Sequence, residues 1–207
     1  MTSPAALAPI DFHAHHAAHP GEWALQDGIH TWGIHPWTLR PSSSTPPTSD
    51  LLAIGECGLD RRCAQPLPLQ EEAFIQCIQQ SEALGKPLFL HCVRALDDCL
   101  HLRLRLKATQ PWIWHGYRGN AAQLHQLLPH GFWFSFGFRH NEEALLACPP
   151  ARLLLESDDL PQPILPLYTC VARLLGLPLP QLLQQMHTNW AMLFGAESST
   201  QTSPPLA

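Results

Sequence analysis

Short apolar segments alternate along this chain with stretches of helical periodicity, and that alternation limits its fold more than any other feature. Strand-like runs are expected at residues 7–12, 28–34, 51–55, 87–90, 112–114, 132–136 and 152–155. Helical patterns fall at 69–84, 95–107, 120–128, 141–147, 165–175 and 180–186. The first ends at the stop signal Gly85-Lys86-Pro87, the second opens on Asp97-Asp98, and the third and fourth open on an asparagine suited to capping. Strands separated by helices become parallel neighbours joined by right-handed crossovers. The expectation is therefore an α/β protein, a distorted (β/α) TIM-type barrel. At 207 residues it reads as one domain over 1–197, with 198–207 a disordered tail. The Pro- and Ser-rich stretch 41–49 reads as a surface connection.

The polar residues gain meaning on this map. His13 and His15 follow the first segment, His35 the second, Glu56 the third, His91 the fourth, His115 the fifth and Asp158 the seventh. A histidine at one strand end is most often a hydrogen-bonded rim residue. Six segments that each end in His, Glu or Asp are another matter, because in an α/β barrel all strand C-termini meet on one face. The other histidines do not fit this pattern. His101, His125, His130 and His187 lie in or after helices and read as solvent-facing or capping, while His16 and His19 line the rim and His30 starts its strand.

Composition narrows the partners. A net charge of −5 gives no general attraction to nucleic acid or anionic membranes, so a nucleic-acid substrate must be held by local cations or bound metal. The first ten residues lack the basic and apolar regions of a secretion signal, and no apolar run approaches the roughly 18 residues of a membrane helix. A cytoplasmic location without membrane or protein partners is expected. The seven cysteines form no Cys-x-x-Cys pair and read as small buried hydrophobes, with Cys57 and Cys92 the candidates for lining a site.

In chain order, "DFHAHH", "GIHPW", "AIGECGLD", "QEEAFIQCIQQSEALGKPLFLHC", "HGYRGN", "LLLESDD" and "NWAMLFG" resemble the motifs of the TatD family of metal-dependent hydrolases, within the amidohydrolase-type barrels. The resemblance implies that His13, His15 and Asp158 hold one divalent ion and that His91 and His115 hold a second, with Glu56 bridging. It implies two ions of Mg, Mn or Zn and metal-dependent DNase activity. There are departures. The interval from His15 to Gly33 is short, so the first helix and a neighbouring strand are expected to be cut down. The arginine usual two residues after the fourth strand's histidine is replaced by Val93, with Arg94 next.

The chemistry agrees with this assignment. Imidazole and carboxylate ligands suit Zn, Mn or Mg and leave room for water. The chain has only two lysines, Lys86 before a strand and Lys107 at a helix end. The modified lysine that bridges metals in some related barrels is therefore excluded, and a carboxylate must take that place. Asp158 is expected to act as ligand and base, and Glu56 is the other catalytic candidate. His35, Arg94 and Arg118 are candidate substrate contacts, and Arg139 could also meet phosphate, as guanidinium does well. The expected reaction is phosphodiester cleavage at DNA 3′ ends. The alternatives are hydrolysis of a small ester, amide or lactone, and a non-catalytic binding protein on a hydrolase fold.

Overall fold

The computed structural model describes residues 7–45 and 47–195; the expected tail at 198–207 lies outside them. They contain eight strands: β1 (Ile10–Ala14), β2 (Trp23–Gln26), β3 (Thr31–Trp32), β4 (Ala53–Asp60), β5 (Leu88–Val93), β6 (Trp112–Trp114), β7 (Phe132–Phe136) and β8 (Leu153–Leu155). Six helices accompany them: α1 (Leu67–Leu84), α2 (Leu96–Arg105), α3 (Ala121–Leu127), α4 (Glu142–Ala147), α5 (Leu165–Leu175) and α6 (Leu179–Phe194). This is the α/β alternation expected from the apolar pattern. No helix is long and apolar enough to cross a membrane among the described residues.

The chain divides into two compact units. One takes the residues up to Gln26, Gly116–Leu124, and those from Phe134 onward; the other takes Asp27–His115 and His125–Trp133. In the second unit β3, β4, β5 and β6 lie side by side, all parallel, and α1 and α2 make the crossovers. Its core includes Ile54, Phe74, Phe89 and Trp112, each fully buried. In the first unit β1 pairs with β2 in parallel, and the end of β7 pairs with β8, Phe134 opposite Leu153. Phe12 and Trp23 pack there on Trp190 of α6, with ring centroids 5.9 and 4.3 Å apart.

The expected shortening at the start is present. β1 is followed directly by β2 and then by the two-residue β3, with no helix between them among the described residues. The segment expected as one strand at 28–34 is instead a turn and the short β3, and β2 lies earlier, at "WALQ". β4 runs five residues past its expected end because Gly55 and Gly58 let it continue through a shift in register against β5. A Cβ on Gly58 would lie 2.0 Å from the His91 carbonyl oxygen, and its φ is +146°, so only glycine allows this approach. α6 also outruns its expected end at 186, because Met186, Trp190 and Leu193 continue the buried face of Leu182 and Leu183. The Asn189 amide donates to the carbonyls of Pro150 and Leu153.

Candidate metal centre

In the first unit, β1 and the segment after β8 run side by side. The His15 amide donates to the Asp158 carbonyl (3.1 Å) and the Asp158 amide to the His13 carbonyl (3.0 Å). Alternate residues of an extended chain project to one side, so His13 and His15 face the same way, their rings 5.0 Å apart and nearly perpendicular. Asp158 meets them with a positive φ of 59°, its Oδ1 3.7 Å from the His15 Nε2. Asp11 ties the two segments together, accepting the Ser157 amide at 3.0 Å and the Ser157 hydroxyl. Burial pushes the Asp11 carboxyl up to about 6, against the lowering effect of those hydrogen bonds. The ligand atoms of His13, His15 and Asp158 lie within 4.8 Å of one another.

The second unit builds its cluster around one carboxylate oxygen. Glu56 Oε1 stands 2.6 Å from His91 Nδ1, 2.7 Å from His115 Nε2 and 3.1 Å from His35 Nε2. Glu56 and His91 are inside strands β4 and β5, and His115 directly follows β6. All three are buried. The Glu56 amide donates to Asp27 Oδ1 (3.1 Å), which also takes the Thr31 hydroxyl, so the backbone at Glu56 is held in place. His91 presents its other nitrogen to Asp60 Oδ2 at 3.3 Å. Burial alone would raise the Asp60 carboxyl, but hydrogen bonds from Trp37, the Arg62 amide and His91 together hold it below its usual value.

The donors in both clusters suit divalent cations. Imidazole nitrogens and carboxylate oxygens converge to within 4.8 Å in each, mostly buried around Glu56 and more open at His15 and Asp158, and these are ligand types that ions such as Zn or Mn take. The second-nitrogen contact from His91 to Asp60 is the carboxylate–histidine partnership that orients metal-binding imidazoles.

The substrate candidates lie in different surroundings. His35 belongs to the Glu56 cluster itself, since its position three residues past the short β3 brings its ring to 4.6 Å from that of His91. Arg94 is exposed after β5, with φ +54°. Arg118 and Arg139 are exposed and line a cleft of the first unit with Gly116, Gly137, Glu156 and Asp158. Sequence reasoning missed Asp27, Asp60 and Trp37 as supports of the cluster. Asp60 was detectable, because Glu56, Gly58 and Asp60 share one side of β4 once that strand is carried beyond Gly55. Two further readings are corrected. Cys57 does not line the site but is fully buried, its thiol toward the Phe89 carbonyl. His187 is not solvent-facing but buried, paired with the Ala8 carbonyl at 2.8 Å, because the longer α6 turns it inward.

The family described as "TatD related DNase" matches residues 11–195. A Cronobacter turicensis protein named 3′-5′ ssDNA/RNA exonuclease TatD is 32% identical over 160 residues, covering 67% of this chain and 57% of that protein. An Escherichia coli protein named as an uncharacterized metal-dependent hydrolase, YcfH, is 29% identical over 171 residues, covering 72% and 64%. The chain thus spans less than two thirds of the length of either relative. Among solved structures, the TatD homologue YJJV of Escherichia coli superposes with a TM-score of 0.64 at 21% identity, covering 71% of this chain and 65% of that one. That likeness concerns the fold.

Proposed function

This chain belongs to the TatD-related DNase family, and on that premise we propose that it is a metal-dependent hydrolase acting at the 3′ end of single-stranded DNA or a related phosphodiester. The observation that carries this reading is the Glu56 oxygen with three imidazole nitrogens within 3.1 Å. A buried carboxylate in such company is a ligand set, and a hydrogen-bonded core needs far fewer polar groups.

His13, His15 and Asp158 would hold one Mg, Mn or Zn ion, and His91 and His115 a second together with Glu56. Bound there, such ions lower the pKa of water to about 7 and stabilise charge on a phosphoryl group. Asp158 accepts the proton of the attacking water, a role its partly exposed carboxylate can fill from the edge of the cleft. Arg118 and Arg139, on the walls of the same cleft, meet substrate phosphate, and Arg94, at the end of β5, is a further candidate for such a contact. His35 closes the Glu56 cluster on the substrate side. The cytoplasm is the proposed compartment.

The test is a purified, metal-loaded protein assayed on a 3′-labelled single-stranded oligonucleotide and on a panel of esters, amides and lactones. Shortening of the oligonucleotide from its 3′ end supports the proposal. Turnover of only the small neutral substrates supports the second reading, which the net charge of −5 favours. Glu56→Gln should weaken binding of the ion at its cluster and abolish turnover, and full activity in that variant would refute the mechanism. No turnover of any substrate by protein that binds its ions would leave the non-catalytic reading.

A further inference from the structure

Trp37 lies outside the ligand set, and its support of Asp60 does not account for how it is placed. Its side chain is 58% exposed, and it is the largest of the exposed apolar residues. Most of the others, Leu69, Leu104, Leu146, Leu165 and Met192, lie on helices α1, α2, α4, α5 and α6. Trp37 instead follows the "GIHP" turn, beside the Glu56 cluster. Its ring meets His35 at 4.9 Å and His91 at 5.6 Å, edge to face in both cases.

The indole is also fixed in place. Its Nε1–H donates to Asp60 Oδ2 at 2.7 Å, and its amide donates to His35 Nδ1 at 3.2 Å. Asp60 is itself anchored, accepting the Arg62 amide at 2.7 Å and donating its own amide to Gln70 Oε1 at 2.7 Å. An exposed tryptophan usually samples several rotamers. This one is ordered before any ligand arrives, so stacking on it costs little further side-chain freedom. An indole face held open beside a metal-ligand cluster suits a flat aromatic group attached to the reacting phosphate, and every nucleobase offers one.

We propose that Trp37 is the platform on which the terminal base of a single-stranded substrate stacks, setting the position of the 3′ phosphodiester relative to the His35–Glu56–His91 cluster. This rests on the nuclease reading given above. It makes Trp37 a positioning and specificity residue and gives it no part in bond cleavage.

The experiment compares two oligonucleotides, identical except that one carries an abasic residue at its 3′ end, with the manganese-loaded wild type, Trp37→Ala and Trp37→Phe. Base–aromatic stacking changes affinity by roughly 5- to 150-fold per base. The wild type should show KM raised by about that factor on the abasic substrate, with kcat much less changed. Trp37→Ala should show the raised KM on both substrates and no longer distinguish them. Trp37→Phe, which keeps a ring and loses the bond to Asp60, should retain most of the discrimination. In a second readout, the intact oligonucleotide should quench the fluorescence difference between wild type and Trp37→Phe, and the abasic one should not. Equal KM for both substrates in the wild type, or undiminished discrimination in Trp37→Ala, overturns the platform while leaving the nuclease reading in place. Failure of the wild type to cleave either substrate overturns both.

Discussion

Asp60 supports the Glu56 cluster from outside the proposed ligand set. Its carboxylate contacts His91 Nε2 at 3.3 Å and the Trp37 indole at 2.7 Å, so it fixes which His91 nitrogen faces Glu56. Changing Asp60→Asn keeps the volume and removes the charge. Metal affinity should fall by roughly 10- to 100-fold, the range for loss of an outer partner of a ligating histidine, with the fold unchanged. Isothermal titration with manganese measures it, and unaltered affinity would mean that His91 is oriented by something else. A different residue tests the core. Burial pushes the Cys148 thiol up to about 12, from an ordinary value near 9. A raised value means less thiolate at any pH below it, so native Cys148 should stay unreactive toward a thiol reagent at pH 8. The half-buried Cys63, Cys92 and Cys170 should react first. The same shift makes stability fall as pH rises from about 9 toward 12, because only the unfolded chain ionises there.

At the scale of elements, the β4–β5 pair carries Glu56 and His91 into the same cluster, and Gly58 makes that pairing possible. Gly58→Ala should destabilise the protein by about 3 kcal/mol or more, since the added methyl would meet the backbone of β5 and the main chain would have to move. A urea titration gives the value, and a loss under about 1 kcal/mol would show that β4 can shift without cost. The elements differ in how far the sequence revealed them. β6, β7 and α5 match their apolar segments residue for residue, because each is bounded by clear turn or proline signals. β4 and α6 were cut short in the reading for one shared reason. Gly55 and Gly58 interrupt the apolar run of β4, and Thr188 and Asn189 that of α6, so only packing against distant residues carries either element onward. β2 escaped notice because four residues that are partly buried carry too little periodicity to stand out. The grouping of His13 and His15 with Asp158, and of Glu56 with His91, was legible despite these errors. It depends on residue type at the end of an apolar run, and that survives a shift of a few residues in the strand boundary.

For the whole molecule, each unit offers a candidate ligand set of its own: His13, His15 and Asp158 in one, and His35, Glu56 and His91 in the other. Ions that bind only the native chain stabilise it by about 2.7 kcal/mol at a hundredfold excess over Kd. For a protein of this size, that corresponds to a rise in Tm of roughly 5–10 °C. Scanning calorimetry with manganese and with a chelator should show this difference, and identical melting would mean that the clusters are structural only. The most direct test of the central claim is the metal content of the purified chain after reconstitution and removal of excess ion, read by elemental mass spectrometry. The account predicts two equivalents in the wild type and about one in Asp158→Asn. Less than one equivalent in the wild type would contradict it.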